Sequence, residues 1–524
     1  MSGMFDSKSD KANRKLALSQ KEEKAKKKSR NITIVVIAVF LLVLAASIIA
    51  NSSWIRRVLP VITIDGVSFT AAEYEYFFNV QYIEYMQFMS QFQGMGGPDR
   101  SRPLSNQIYN ITEDGDVITW ADIISDSVNA RLINLVGLYN AALAYGFELS
   151  EDDIEAIELE MALIELEVEF NPDVPSGDIL LQRMYGNNIN MRIFRGLLEF
   201  MVTAEAFSEY MRDLPEYSET DLDSFYLQNA DDLDVFNIRL LQVNADLPAE
   251  DTPDYDIERA KVIAEAQEMA RDFAEGIETQ EDFIDTALWY NFALYANPAS
   301  TLRQIQGENL SELYMDWLLD KNRIHGDITV IDTETGATIV FFVSRDNNDY
   351  YTVGMRQILI LRENISPAEF LEGEYDPDYI AAVENAEREA RERAHLVDAL
   401  FTSEGKTEAA LLALIEEHSD DTTEGGFYEG ISQFSYQGST FRSMKVVPEL
   451  EDWLFEEGRR AGDSKLIETE AFGFHLMYFT GFGDKLFSHI IADDRMRTKA
   501  HNEWLDSITV NEPVKHRAFI FVSV

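Results

Sequence analysis

The chain has no cysteine in 524 residues. That excludes disulfides, thiolate metal sites, a cysteine nucleophile and a lipid-modified cysteine. It also lacks a nucleophile elbow, an H-E-x-x-H pair and a calcium-binding loop, so neither a metal nor a cofactor is expected. Positive charge is scarce: 44 Lys and Arg stand against 93 Asp and Glu, a net charge of −49. Phosphate binding needs basic patches, so nucleic acid is excluded as a partner for the bulk of the chain, as is an anionic membrane surface. What is present is a large apolar fraction, 46% with 11% aromatics, enough for several folded domains at this length.

The charge is unevenly spread. Residues 1–30 carry ten basic groups and four acids, and an uncharged run of nineteen residues, Ile32–Ala50, follows directly. As a helix that run spans about 28 Å, the thickness of a bilayer's hydrocarbon core. The positive flank predicts a cytoplasmic segment at 1–31, a membrane anchor at 32–53, and an extracytoplasmic bulk. A cleavable signal peptide is the competing reading. The length of the run and of the basic region favours an uncleaved anchor.

Beyond the anchor, Val61–Ile64 alternates as a short strand and Asp65-Gly66 marks a turn. Thr70 with Glu73 reads as a capping box opening a long helix, and residues 94–116 read as a polar loop. Apolar residues at three- and four-residue spacing, with caps at Ser150 and Ser218, predict a helical domain over 59–232. The order strand, helices, strand then occurs twice, over 233–347 and 350–484. At an offset of 136, residues 316–334 match 452–470 at nine of nineteen positions, among them Trp317/Trp453, Arg323/Arg459, Gly326/Gly462 and Asp327/Asp463. Two copies of one α/β module are present.

The second copy contains the run "FGFHLMYF", in which His475 sits within an apolar strand. A lone histidine there is commonly a satisfied core residue. The first copy has Thr338 at that place, however, so the module does not require an imidazole for packing. His325 and His395 read as surface residues.

"MRQILI", "EEHSDDTTEGGFYEG", "VPELEDWLF" and "FGFHLMYF" follow one another in the order and spacing of a parvulin-type peptidyl-prolyl isomerase module. Over 59–524 the chain resembles the PrsA/SurA/PpiD class of extracytoplasmic foldases. The resemblance implies an α+β multidomain fold: an anchor, a helical SurA-like chaperone domain, and two parvulin-like modules, the first degenerate. The last segment, 485–524, is then a C-terminal helix and strand that return to the helical domain. Ile490, Ile491 and Trp504 are expected to bury area there, and 518–522 to add a strand beside Val61–Ile64.

The resemblance also implies the site. His475 takes the second histidine of the family motif, after Gly473 and Phe474, and Asp421 takes the acid. Gly425-Gly426 take the glycine pair, and Tyr428 falls near the pocket leucine. Val447 and Leu450 line the apolar pocket with Phe455 behind and Phe472 beside them. Gln357 stands where the family has its first histidine. Glutamine can hydrogen-bond to Asp421 or His475 but cannot share a proton as an imidazole does. In the first module Arg239 and Thr338 are expected at the two histidine places. The implied activity is a weak isomerase acting on X–Pro segments of unfolded, exported polypeptides, with a holdase bearing a vestigial site as the alternative.

Overall fold

The computed structural model of the chain describes residues 37–41, 43, 53–90, 97–99, 101–370, 375–517, 519 and 522. The basic segment 1–31 lies outside them, as does most of the run Ile32–Ala50. Within that run Ile37–Leu41 and Val43 are helical and exposed. No helix among the described residues is long and apolar enough to cross a membrane.

The chain divides into two compact units, residues 1–214 with 502–524, and residues 215–501. In the first, β1 (Pro60–Ile64) and β2 (Val67–Thr70) form a hairpin closed by Asp65-Gly66, both at positive φ. Thr70 and Glu73 then make the expected capping box, the Thr70 amide donating to the Glu73 carboxylate at 2.6 Å, and α1 (Ala71–Ser90) begins. Residues 94–116 are not all loop: β3 (Ile108–Ile111) pairs with β4 (Val117–Thr119). A short helix, Ser53–Val58, precedes β1, and α2 (Trp120–Tyr145), α3 (Glu151–Phe170), α4 (Gly177–Tyr185) and α5 (Met191–Asp213) follow. Reciprocal Thr119/Asp122 and Ser150/Asp153 caps open α2 and α3 by satisfying amides that no preceding turn can reach. Tyr74, Phe77, Ile124, Val128, Leu132 and Phe194 close one core.

Helix α6 (Glu219–Gln228), capped by Ser218, belongs to the second unit rather than to a helical domain reaching 232. The cause is its apolar face: Leu222 and Tyr226 pack with Leu233, Tyr436, Phe487 and Ile491. The Tyr226 hydroxyl donates to Asp234 at 3.1 Å.

The first module of this unit has β5 (Val235–Asn244), α7 (Tyr255–Glu275), α8 (Gln280–Tyr290), β6 (Leu302–Gln306), α9 (Met315–Leu318), β7 (Ile328–Thr333) and β8 (Gly336–Asp346). The second has β9 (Tyr351–Leu361), α10 (Pro377–Ser403), α11 (Glu408–His418), β10 (Phe427–Ile431), α12 (Pro448–Leu454), β11 (Ser464–Thr469) and β12 (Gly473–Leu486). Their antiparallel sheets run β6-β5-β8-β7 and β10-β9-β12-β11, the same order in both copies.

The repeated residues form one fastening built twice. Arg323 lies 3.9 Å over Trp317 and Arg459 lies 4.1 Å over Trp453. Each guanidinium also donates to the carbonyl of its own tryptophan, at 3.2 and 2.8 Å. Gly326 and Gly462, at φ 92° and 95°, donate to the carbonyls of Phe342 and Phe479. The matched positions thus hold the short helix and its loop to the sheet.

The last helix, α13 (Phe487–Ser507), does not place all its apolar residues on the helical unit. Ile491 is fully buried and Ile490 partly so against α6 and Tyr436, because the first half of α13 belongs to the second unit. Trp504 does pack within the first unit, edge-on to Phe207 at 5.7 Å. Among the described residues the returning strand is β13 (Val514–Lys515), antiparallel to β1. Residues 518, 520 and 521 lie outside the described set, while Phe519 stands edge-on to Tyr74 at 5.2 Å.

Candidate active site

In β9 and β12, Met477 faces Gln357 and His475 faces Leu359. Opposite residues in an antiparallel pair share a sheet face, so Gln357 and His475 are diagonal neighbours on one face. Ile358, Ile360, Phe474 and Leu476 point to the other face, where α10 and α11 cover them. The site face carries Met355, Met477, Phe479, Ile467 and Leu450, flanked by Tyr428, Val447 and Phe455.

The loop after α11 brings in the acid. The Ser419 hydroxyl accepts from the Leu359 amide at 3.2 Å, and the Asp420 amide donates to the Leu359 carbonyl at 2.8 Å. These bonds lay the loop along β9. Gly426, at φ 53°, then crosses so close that a Cβ there would stand 2.3 Å from the Gln357 carbonyl oxygen. Only glycine fits both the backbone angle and the approach.

The result is an unbroken chain of side chains. Gln357 Nε2 donates to Asp421 Oδ2 at 2.7 Å, and the Tyr428 hydroxyl donates to the same oxygen at 2.7 Å. The Thr423 amide donates to Asp421 Oδ1 at 3.0 Å. Gln357 Oε1 lies 2.8 Å from His475 Nδ1, and His475 Nε2 lies 3.0 Å from Thr469 Oγ1. Because an ionised carboxylate only accepts, Gln357 must turn its amide nitrogen to Asp421 and its oxygen to His475. His475 therefore carries its proton on Nδ1, and the Thr469 hydroxyl donates to Nε2.

Burial lowers the His475 pKa from 6.5 to about 4, against the pull of Glu449 and Asp421, so the ring is neutral at pH 7. Burial pushes Asp421 up, yet hydrogen bonds from the Thr423 amide, Tyr428, Gln357 and the Thr423 hydroxyl together hold it below the usual carboxylate range. Burial, with Asp421 adding to it, raises the Tyr428 hydroxyl. His475 and Gln357 are 3% and 6% exposed.

Sequence reasoning placed His475, Asp421, Gln357 and Tyr428, and these four meet. Val447 and Leu450 share their apolar surround, Leu450 being buried. Phe472, 47% exposed, stands edge-on to the His475 ring at 6.1 Å. Phe455 packs against the same cluster and also stands edge-on to Tyr350 at 5.7 Å. Thr469 was missed, because a threonine on an edge strand has no distinguishing spacing.

The first module differs where it matters. Thr338 faces Ile331 as His475 faces Ile467, which confirms that pair of equivalents. Through the same register, however, Gln357 corresponds to Leu240, opposite Val340, and not to Arg239. Arg239 points to the other face and bonds Gln280, the Pro298 carbonyl and Thr301. The slip of one residue between the copies lies in the turn: Thr333 and Gly336 enclose two residues, Thr469 and Gly473 enclose three. The extra length precedes Gly473, where Phe472 stands.

No protein-family model matches the chain, and no curated protein does. Among solved structures it matches PrsA from Bacillus subtilis at 13% identity and a TM-score of 0.14, over 54% of this chain and 91% of that one. It also matches a structure of the SurA-like chaperones PEB4 and Cj1289 of Campylobacter jejuni, at 12% identity and a TM-score of 0.17, over 46% and 82%. At those values the matches carry no inference about activity, which rests on the residues above. Over about half its length the chain is similar to PrsA- and SurA-like proteins.

Proposed function

We propose that the chain is an anchored extracytoplasmic foldase whose second module isomerises X–Pro bonds in exported polypeptides. The observation that carries this reading is the chain Thr469–His475–Gln357–Asp421–Tyr428 beneath an apolar surround, absent from the sister copy built on the same scaffold. Turning an X–Pro amide costs about 18–20 kcal/mol and takes tens of seconds or more unaided. Both His475 nitrogens are engaged, so the ring acts as a fixed dipole and not as a proton shuttle. Twisting the amide ends its resonance and draws negative charge off the carbonyl oxygen. A carboxylate at Asp421 then repels the twisted state less than the planar one, which is differential binding in the required direction.

The test is a proline-switch assay on tetrapeptides with the full chain in mild detergent. Weak catalysis is expected, with His475→Ala lowering kcat/KM about tenfold. A second reading, a holdase with a vestigial site, is favoured by the exposed stripe Leu159, Leu163, Leu166 and Phe170 on α3. Suppression of client aggregation without catalysis on any proline peptide decides for it.

The anchor, the cytoplasmic segment 1–31 and the outer bulk belong to the same proposal, on the strength of the basic flank and the uncharged run. Protease added to intact spheroplasts is expected to degrade the bulk of the chain, and full protection overturns the topology.

A further inference from the structure

The two faces of the second sheet treat their acids differently. On the helix-covered face three acids near the sheet have an arginine: Glu408 with Arg356 at 2.7 Å, Asp420 with Arg393 at 2.8 Å, Glu468 with Arg362 at 2.8 Å. At the site face, Asp421 has only neutral partners. Glu449, in the first turn of α12, is exposed, and its Oε1 accepts from the Glu470 amide at 3.3 Å. Glu470 is exposed as well. None of the three has a Lys, Arg or His within ion-pair distance among the described residues.

Their placement brackets the polar floor. Glu470 follows Thr469, which holds His475 Nε2, and Phe472 two residues on stands against the ring. Asp421 closes the opposite end through Gln357. The nearby cations are mostly committed: Lys445 to Glu451 at 3.5 Å and to Gln304, and Arg362 to Glu468 and to the Thr469 and Glu470 carbonyls. Lys465, opposite Met477 and so on the site face, is exposed at the start of the edge strand β11, four residues before Thr469.

We propose that this site selects X–Pro segments in which X is Lys or Arg and discriminates against Glu, Asp or a phosphorylated residue there, with Glu449 as the specificity-determining side chain. The inference rests on the isomerase reading above. A cationic side chain ahead of the proline gains from uncompensated carboxylates and forfeits no existing ion pair, whereas an anionic one is repelled. The groups are close to solvent, so the preference must weaken with salt.

The experiment compares Ala-Lys-Pro-Phe, Ala-Ala-Pro-Phe and Ala-Glu-Pro-Phe peptides with the full chain at low and high ionic strength. kcat/KM for the lysine peptide is expected to exceed that for the glutamate peptide about tenfold at low salt and to approach it at high salt. Glu449→Gln is expected to shrink the ratio about threefold, and Glu449→Lys to bring it to one or below. A lysine-to-glutamate ratio at or below one in the unaltered chain, with the alanine peptide turned over, overturns the specificity and leaves the isomerase reading standing. No turnover of any of the three peptides overturns both.

Discussion

Asp421→Asn is expected to lower kcat/KM on an alanyl-prolyl peptide at least tenfold, about 1.4 kcal/mol of transition-state stabilisation, with little change in folding. The substitution preserves shape and removes two things. One is the negative charge beside the twisting amide. The other is the acceptor-only partner that forces Gln357 to present its oxygen to His475. An asparagine amide can donate to Gln357 Oε1 and let the glutamine turn, so the His475 proton moves to Nε2. Nitrogen-15 shifts of the imidazole read that change directly. Gly426→Ala is expected to cause a comparable loss of catalysis by another route. The added Cβ meets the Gln357 carbonyl at 2.3 Å from a backbone at φ 53°, so the loop must lift and take Asp421 with it. A left-handed alanine costs about 1–2 kcal/mol before the clash is counted. Urea unfolding separates the two cases: Gly426→Ala lowers the midpoint more than Asp421→Asn. Unchanged activity in both variants removes the polar chain from the mechanism.

Some of this arrangement was legible in the sequence because spacing along a strand translates into a sheet face. The Gly-Phe-His run and the Ser-Asp-Asp…Gly-Gly loop lie about fifty residues apart, yet each is short enough to be recognised alone. The tryptophan repeat was visible because the fastening it builds needs both Trp and Arg, and loses little in being copied. What the sequence could not supply was register. Arg239 and Leu240 are one residue apart, and a shift of one exchanges the two faces. The choice between them depended on Val340 facing Leu240, which no spacing reveals. In the same way the apolar stripes of α6 and α13 announce that one face is covered, but not that Leu222, Tyr226 and Ile491 cover one another. The pairing of Val514–Lys515 with β1 was not visible either, because "AFIFV" is the more apolar segment and a two-residue strand carries no alternation.

Acidification is expected to weaken the second module through His475 itself. The ring is buried and neutral with a pKa lowered to about 4, while in the unfolded chain it regains the ordinary 6.5. Between those values the unfolded state binds the proton and the folded state does not, so stability rises with pH across that window. The contribution is fully present above pH 6.5 and is lost as pH falls to 4. A displacement of that size corresponds to about 3 kcal/mol. Asp421 acts in the same sense further down, because its carboxyl is held below the ordinary range by the bonds that position it. The neutral ring also means that catalysis has no histidine titration near neutrality, so kcat/KM is expected to be flat from pH 6 to 8 and to fall only as the module weakens. The measurement is the urea dependence of deuterium uptake in peptides covering β9 and β12, at pH 7 and at pH 4.5. The comparison variant is His475→Asn, which keeps a donor toward Gln357 but does not titrate. The difference between the two proteins cancels every other group that changes charge in that range. A loss with pH as large in His475→Asn as in the unaltered chain assigns the acid sensitivity elsewhere and contradicts a buried, neutral imidazole.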